Sequence, residues 1–172
     1  MFRRLFPLLC ISLLLAACSP SLNWREVRPA GGELKALLPC KPDHGNRRLS
    51  LAGQELEISM VGCEAGGALF AVAVAELGSE SRAMAVQVQW QANLLGNMQA
   101  TSSTNRPFAI KGAGTALEPV QLSASGVRPD GSAVMAQGVW FVRGSRLYHA
   151  VIYADKLRAE MSEPFFSGLE FQ

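Results

Sequence analysis

The chain is poor in the residues that carry chemistry. Of its 172 residues two are histidine, His44 and His149, and four are cysteine, at positions 10, 18, 40 and 63. Nucleophilic catalysis needs a hydroxyl or thiol beside a base, and no Gly-x-Ser-x-Gly elbow is present. His149 lies in the alternation Leu147, His149, Val151, Tyr153, the setting of a strand-face side chain satisfied by a neighbour, so no catalytic residue is assigned. Cys40, Asp43, His44 and Cys63 are metal-ligating types, but their one local pair is Cys40-x-x-x-His44, whereas a structural zinc site usually shows two; no metal or cofactor is expected. Gly112-Ala113-Gly114 lacks the Gly-Lys-Ser/Thr ending of a phosphate loop and reads as a flexible connection. The acidic residues are scattered, as on a solvated face.

Two further absences narrow the partners. Beyond the first 17 residues no run approaches the roughly 20 apolar residues that a spanning helix requires. Nor is there an excess of charge: without Arg3 and Arg4 the 16 basic residues become 14, equal to the 14 acidic ones. A near-neutral domain lacks the clustered positive charge on which nucleic-acid binding and polybasic membrane attachment depend.

What is present begins with an export signal. Arg3 and Arg4 precede a mostly apolar run from Leu5 to Ala17, and small residues stand before Cys18. Leu15-Ala16-Ala17-Cys18 resembles the lipobox of bacterial lipoproteins, which implies cleavage after Ala17 and a diacylglyceryl group on the Cys18 thiol. Two or three acyl chains, at about 0.8 kcal/mol per buried methylene, anchor stably where one would not. Families of this type tend to keep a protein in the inner membrane when Asp follows the lipidated cysteine. Ser19 follows here, which implies an outer-membrane anchor facing the periplasm. The expected organisation is a signal peptide at 1–17, a lipidated cysteine and short tether at 18–23, and one domain over 24–172.

Export decides the cysteines. Cys10 leaves with the signal and Cys18 is consumed by lipid, so Cys40 and Cys63 remain as an even pair in an oxidising compartment, expected to form one disulfide.

Along the mature chain, alternation marks strands at 33–38, 47–51, 55–61 and 68–77. In the last of these Phe70, Val72 and Val74 share one face and Ala71, Ala73 and Ala75 the other, so elements are expected to pack closely on both sides. From Ser81 to Gln99 the period changes, and a stripe of Met84, Val88, Gln91, Leu95 and Met98 predicts an amphipathic helix, capped by Ser79 or Ser81 and ending in a loop at 101–105. Three more strands, 120–127, 133–142 and 146–154, are linked by Pro129-Asp130-Gly131 and Gly144-Ser145 as a meander. A short helix over 156–167, broken near Pro164, precedes a last edge strand at 168–171. Strands, helix, strands, helix make an α+β domain: a central antiparallel sheet with helices packed on its faces.

The opening Trp24, Leu34 to Pro42, Phe70 to Val74, Gly138 to Arg143, Arg146 to Val151 and Phe165 to Leu169 together resemble the landmarks of PsbP-like domains. The resemblance covers nearly all of the mature chain. It implies a sheet covered by helices on both faces and carries no particular activity, since a fold does not specify a function.

The expected function is a lipid-anchored, non-enzymatic binding or accessory module of the envelope. Val86 and Trp90, four apart on the helix side that also holds Gln89, Asn93 and Asn97, are candidates for contact with another envelope protein, unless loops or Phe165-Phe166 cover them. Two alternatives stay open: a carrier of a small apolar ligand between sheet and helix, and a hydrolase. A filled sheet-helix interface speaks against the carrier, and a cleft without convergent polar groups against the hydrolase.

Overall fold

The computed structural model describes residues 22–172; the expected signal peptide at 1–17, Cys18 and the first part of the expected tether lie outside the described residues. Ten strands and two helices follow: β1 (Arg25–Val27), β2 (Leu34–Leu38), β3 (Asp43–Leu51), β4 (Gln54–Ala65), β5 (Ala68–Glu76), α1 (Ala83–Asn97), β6 (Ser102–Pro107), β7 (Val120–Val127), β8 (Ala133–Arg143), β9 (Arg146–Ala154), α2 (Ala159–Ser167) and β10 (Glu170–Phe171). The fold is sheet-rich α+β.

Seven strands form one antiparallel sheet in the order β3-β4-β5-β9-β8-β7-β6, and β1-β2-β10 form a small second sheet. β4 and β5 meet at a turn where Gly66 and Gly67 both take positive φ (59° and 77°), a conformation open to residues without a Cβ. The β7–β8 turn is closed by Asp130, whose carboxylate accepts from the Ser132 N–H at 2.9 Å and hydroxyl at 2.7 Å. These bonds hold the Asp130 carboxyl below its ordinary pKa.

The central sheet is buried on both faces, as the Phe/Val and Ala faces of β5 predict. On one side lie the small sheet and α2, where Phe70, Phe141, Phe165, Phe166 and Phe171 pack with Leu34 and Leu38. Phe70 meets Phe165 edge-on at 5.6 Å and Phe141 stacks on Tyr148 at 5.2 Å. The Cys40–Cys63 disulfide, with Cα atoms 6.0 Å apart, ties the segment after β2 to β4. On the other side α1 covers Ile58, Ala75, Trp140 and Leu147.

Four expectations need correction. Residues 101–105 do not end in loop: Ser102 to Pro107 pairs with β7 as an edge strand. No Ser79 or Ser81 cap forms; the two hydroxyls bond each other at 2.9 Å, and a 310 turn at Glu80–Arg82 leads into α1. α2 runs through Pro164, whose carbonyl accepts from the Gly168 N–H at 3.0 Å. In α1 the buried residues are Ala83, Val86, Gln87, Trp90 and Leu94, while Met84 and Val88, from the expected stripe, are 57% and 59% exposed. Both sides of this helix carry apolar residues, and burying the large indole of Trp90 decides which turns inward.

A candidate ligand cleft between helix and sheet

The strand register lays the α1-facing side of the sheet out as rows. Glu64, Leu69 and Tyr153 form the row nearest the β4–β5 turn. The next holds Asp43, Gly62, Ala71, Val151 and Gly138, and the third Gly45, Met60, Ala73, His149 and Trp140. A fourth holds Arg47, Ile58, Ala75, Leu147 and Val142. Three of the five residues in the second row are Gly or Ala, and the third adds Gly45 and Ala73. A helix packed over side chains this short leaves space that its own side chains must fill.

They do not fill it. Ala83 and Val86 anchor the N-terminal half of α1 in the core, but its C-terminal half stands over a cleft of about 870 Å³ lined by Trp90, Asn93, Leu94 and Asn97 from the helix. The floor is Gly45, Met60, Gly62, Ala71, Ala73, His149, Val151 and Tyr153. A second cavity of about 740 Å³ adjoins it, sharing Glu64, Leu69, Leu94, Asn97 and Tyr153, and is bounded by the Gly66-Gly67 turn, Met98 and Arg128. The volumes fall within the range of small-molecule sites.

Two glycines of the second row are sterically required, Gly62 in the floor and Gly138 beyond it on β8. A Cβ on Gly62 would lie 2.6 Å from the Phe70 carbonyl oxygen, and one on Gly138 2.9 Å from His149 Nε2. Gly45 is different, for a Cβ there meets nothing within 4 Å.

His149 sits at the inner wall, stacked on Trp140 at 4.1 Å and met edge-on by Trp90 at 5.2 Å. It is 4% exposed, and its Nε2 has no hydrogen-bond partner; Gln87 Oε1 and Trp140 Nε1 share that condition. All three unpartnered atoms lie on the α1 side of the sheet. Burial pushes the His149 imidazole down to about 3, so it is neutral at ordinary pH, and pushes the Tyr153 phenol up to about 12. The wall is therefore uncharged. Charged side chains gather at the rims: Glu64 and Arg128 by the β4–β5 turn, and Lys41, Asp43 and Arg47 at the β3 edge.

Val86 and Trp90 depart from expectation, while Cys40 and Cys63 pair as expected. Val86 is fully buried and Trp90 9% exposed, so neither is an exposed contact for a partner; Val86 belongs to the core and Trp90 to the cleft wall. Cys40 and Cys63 are joined, which removes two thiolates from any metal set with Asp43 and His44. Among the described residues no three His, Cys, Asp or Glu side chains converge on a metal position. The sequence left a ligand site between sheet and helix as an alternative but did not identify its lining, because the floor is a row across strands. Its traces in the sequence were Gly62 inside an otherwise regular strand and the run of alanines in β5, both marks of close approach.

Comparison with known proteins adds little. No family model and no curated protein matches the chain. Among solved structures it is similar to PA94, a protein of unknown function from Pseudomonas aeruginosa, at 16% identity and a TM-score of 0.38, over 82% of this chain and 89% of that one.

Proposed function

We propose that the protein is a lipid-anchored, non-enzymatic binding module of the cell envelope, attached through Cys18, whose cleft between α1 and the central sheet holds a small, mostly apolar ligand. The observation that carries this reading is the open cleft: a helix held over a floor of Gly62, Ala71 and Ala73 with an uncharged aromatic wall of Trp90, His149 and Tyr153. The charged side chains sit at the rims, apart from His149 at the inner wall, rather than converging with it at one depth, which favours holding a ligand over hydrolysing one. Lipidation follows from Leu15-Ala16-Ala17-Cys18, and an outer-membrane address from Ser19. A PsbP-like arrangement is supported by the helices on opposite faces of the sheet.

An amphiphilic fluorescent probe with an apolar ring system, such as anilinonaphthalene sulfonate, tests the reading. It should bind the domain saturably at one site. Ala71→Leu, which puts three more carbons onto the cleft floor, should weaken binding about tenfold or more while the fold persists, since a half-exposed position accepts added volume. Equal binding by the variant would remove the cleft from the proposal.

A further inference from the structure

The entrance of the cleft and the start of the described chain lie at the same end of the molecule. Leu22 packs against the α2-side core, and a Cβ on Gly66 would stand 3.2 Å from its Cδ2. Gly66 and Gly67 form the lip of the entrance, with Glu64, Leu69 and Arg128 beside them. Leu69 is 40% exposed, an unusual position for a leucine on the inner face of a cleft. Asn23, next to Leu22, is fixed by its N–H to the Pro39 carbonyl at 2.7 Å, so the emerging chain leaves from a defined point.

Cys18 is four residues before Leu22. Even fully extended, four residues span no more than about 14 Å. A lipid on Cys18 thus holds the lip at the bilayer surface, with the cleft running away from it. The three steps from the Glu64-Leu69-Tyr153 row to the Arg47-Ile58 row, each two residues along a strand, come to about 20 Å. One leaflet of a bilayer's hydrocarbon core is about 15 Å deep. The cleft is long enough for one acyl chain.

Resting on the proposed ligand-binding reading, we propose that the occupant is an acyl chain of a bilayer lipid, drawn in past the β4–β5 turn. Its polar end stays at the lip beside Glu64, Asn97 and Arg128, and its tail runs over Gly62 and Ala71 beneath Trp90. A neutral His149 keeps the inner wall compatible with hydrocarbon. No bond is made or broken; the lipid is held.

The test uses the full lipidated protein carrying Trp24→Phe, which removes the indole on the opposite side of the sheet. It is reconstituted in phosphatidylcholine vesicles containing phospholipid brominated on its acyl chains, a contact quencher of indole fluorescence. Emission should fall about twofold, because Trp90 lines the cleft while the remaining Trp140 is fully buried. Ala71→Leu should relieve most of that quenching, and so should about 20 Gly/Ser residues inserted after Ser19, which lengthen the tether's reach to roughly 25 Å. If Trp24→Phe does not fold, the wild-type chain is compared with Trp90→Phe, and the difference isolates the same signal.

Quenching relieved by both changes supports the proposal. Quenching that persists in either means the indoles meet lipid elsewhere and overturns it. No quenching, in a protein that still binds anilinonaphthalene sulfonate in an Ala71-dependent way, overturns lipid entry alone and leaves the ligand-binding reading standing. Neither quenching nor probe binding overturns both.

Discussion

The two faces of the central sheet are made from the same strands by opposite choices of side chain. Towards α2, β5 presents Phe70, Val72 and Val74; towards α1 it presents Ala71, Ala73 and Ala75. The α2 side interlocks five buried phenylalanines, a tyrosine and a disulfide-linked segment. On the α1 side Gly45 and Gly62 stand in the floor, a buried histidine has an unpartnered nitrogen, and the cleft opens beside them. One sheet can thus separate its tasks: the dense face supplies cohesion, which lets the other give up packing for space.

The largest effect should come from breaking the dense face. Phe70→Ala removes a fully buried ring that touches Phe165 and Trp24, and should cost about 3–5 kcal/mol, read as a fall in the denaturation midpoint at unchanged slope. Met60→Ala, on the cleft side and half-buried, should cost well under half as much. Equal costs would mean that the two faces do not differ in the way described.

Next in size is the disulfide. Its ends are 23 residues apart, and on the chain-entropy account closing such a loop stabilises by about 3 kcal/mol. A Cys40→Ala, Cys63→Ala double variant should lose roughly that much in chemical denaturation. A variant as stable as the parent would show that the α2 face holds itself without the crosslink.

The effect smallest near neutral pH is graded, grows only as the pH falls, and belongs to the cleft side. His149 takes up its proton near its ordinary value of 6.5 when unfolded but only near about 3 when folded. Its contribution is therefore fully present above pH 6.5 and is lost as pH falls from there towards 3, at up to about 1.4 kcal/mol per pH unit. His149→Leu should flatten the acid limb of stability against pH by one proton. An unchanged limb would locate the acid sensitivity in other groups.

Much of this was legible in the sequence because it is local. Strands β7, β8 and β9 follow from alternation and from the turns at Pro129-Asp130-Gly131 and Gly144-Ser145, and the structure places them at 120–127, 133–143 and 146–154. β6 was not legible: Ser102-Ser103-Thr104-Asn105 has loop chemistry, and its strand state comes from pairing with β7 at an exposed edge. The stripe on α1 misled for a related reason. Met84 and Val88 form a regular apolar pair, yet nothing in the helix itself says which of two apolar sides the sheet will cover.

By itself the sequence determined the α+β class, the two-sided burial of β5 and the pairing of Cys40 with Cys63, because each depends on residue period or on a count with one remaining solution. Only the tertiary structure decided that Gly62, Ala71 and Gly138 stand in one row, that Trp90 lines one cleft with the first two, and that His149 is enclosed between two indoles. Register and helix rotation are set by contacts among segments far apart in the chain, and a cleft is the volume those contacts leave over, which no single segment encodes.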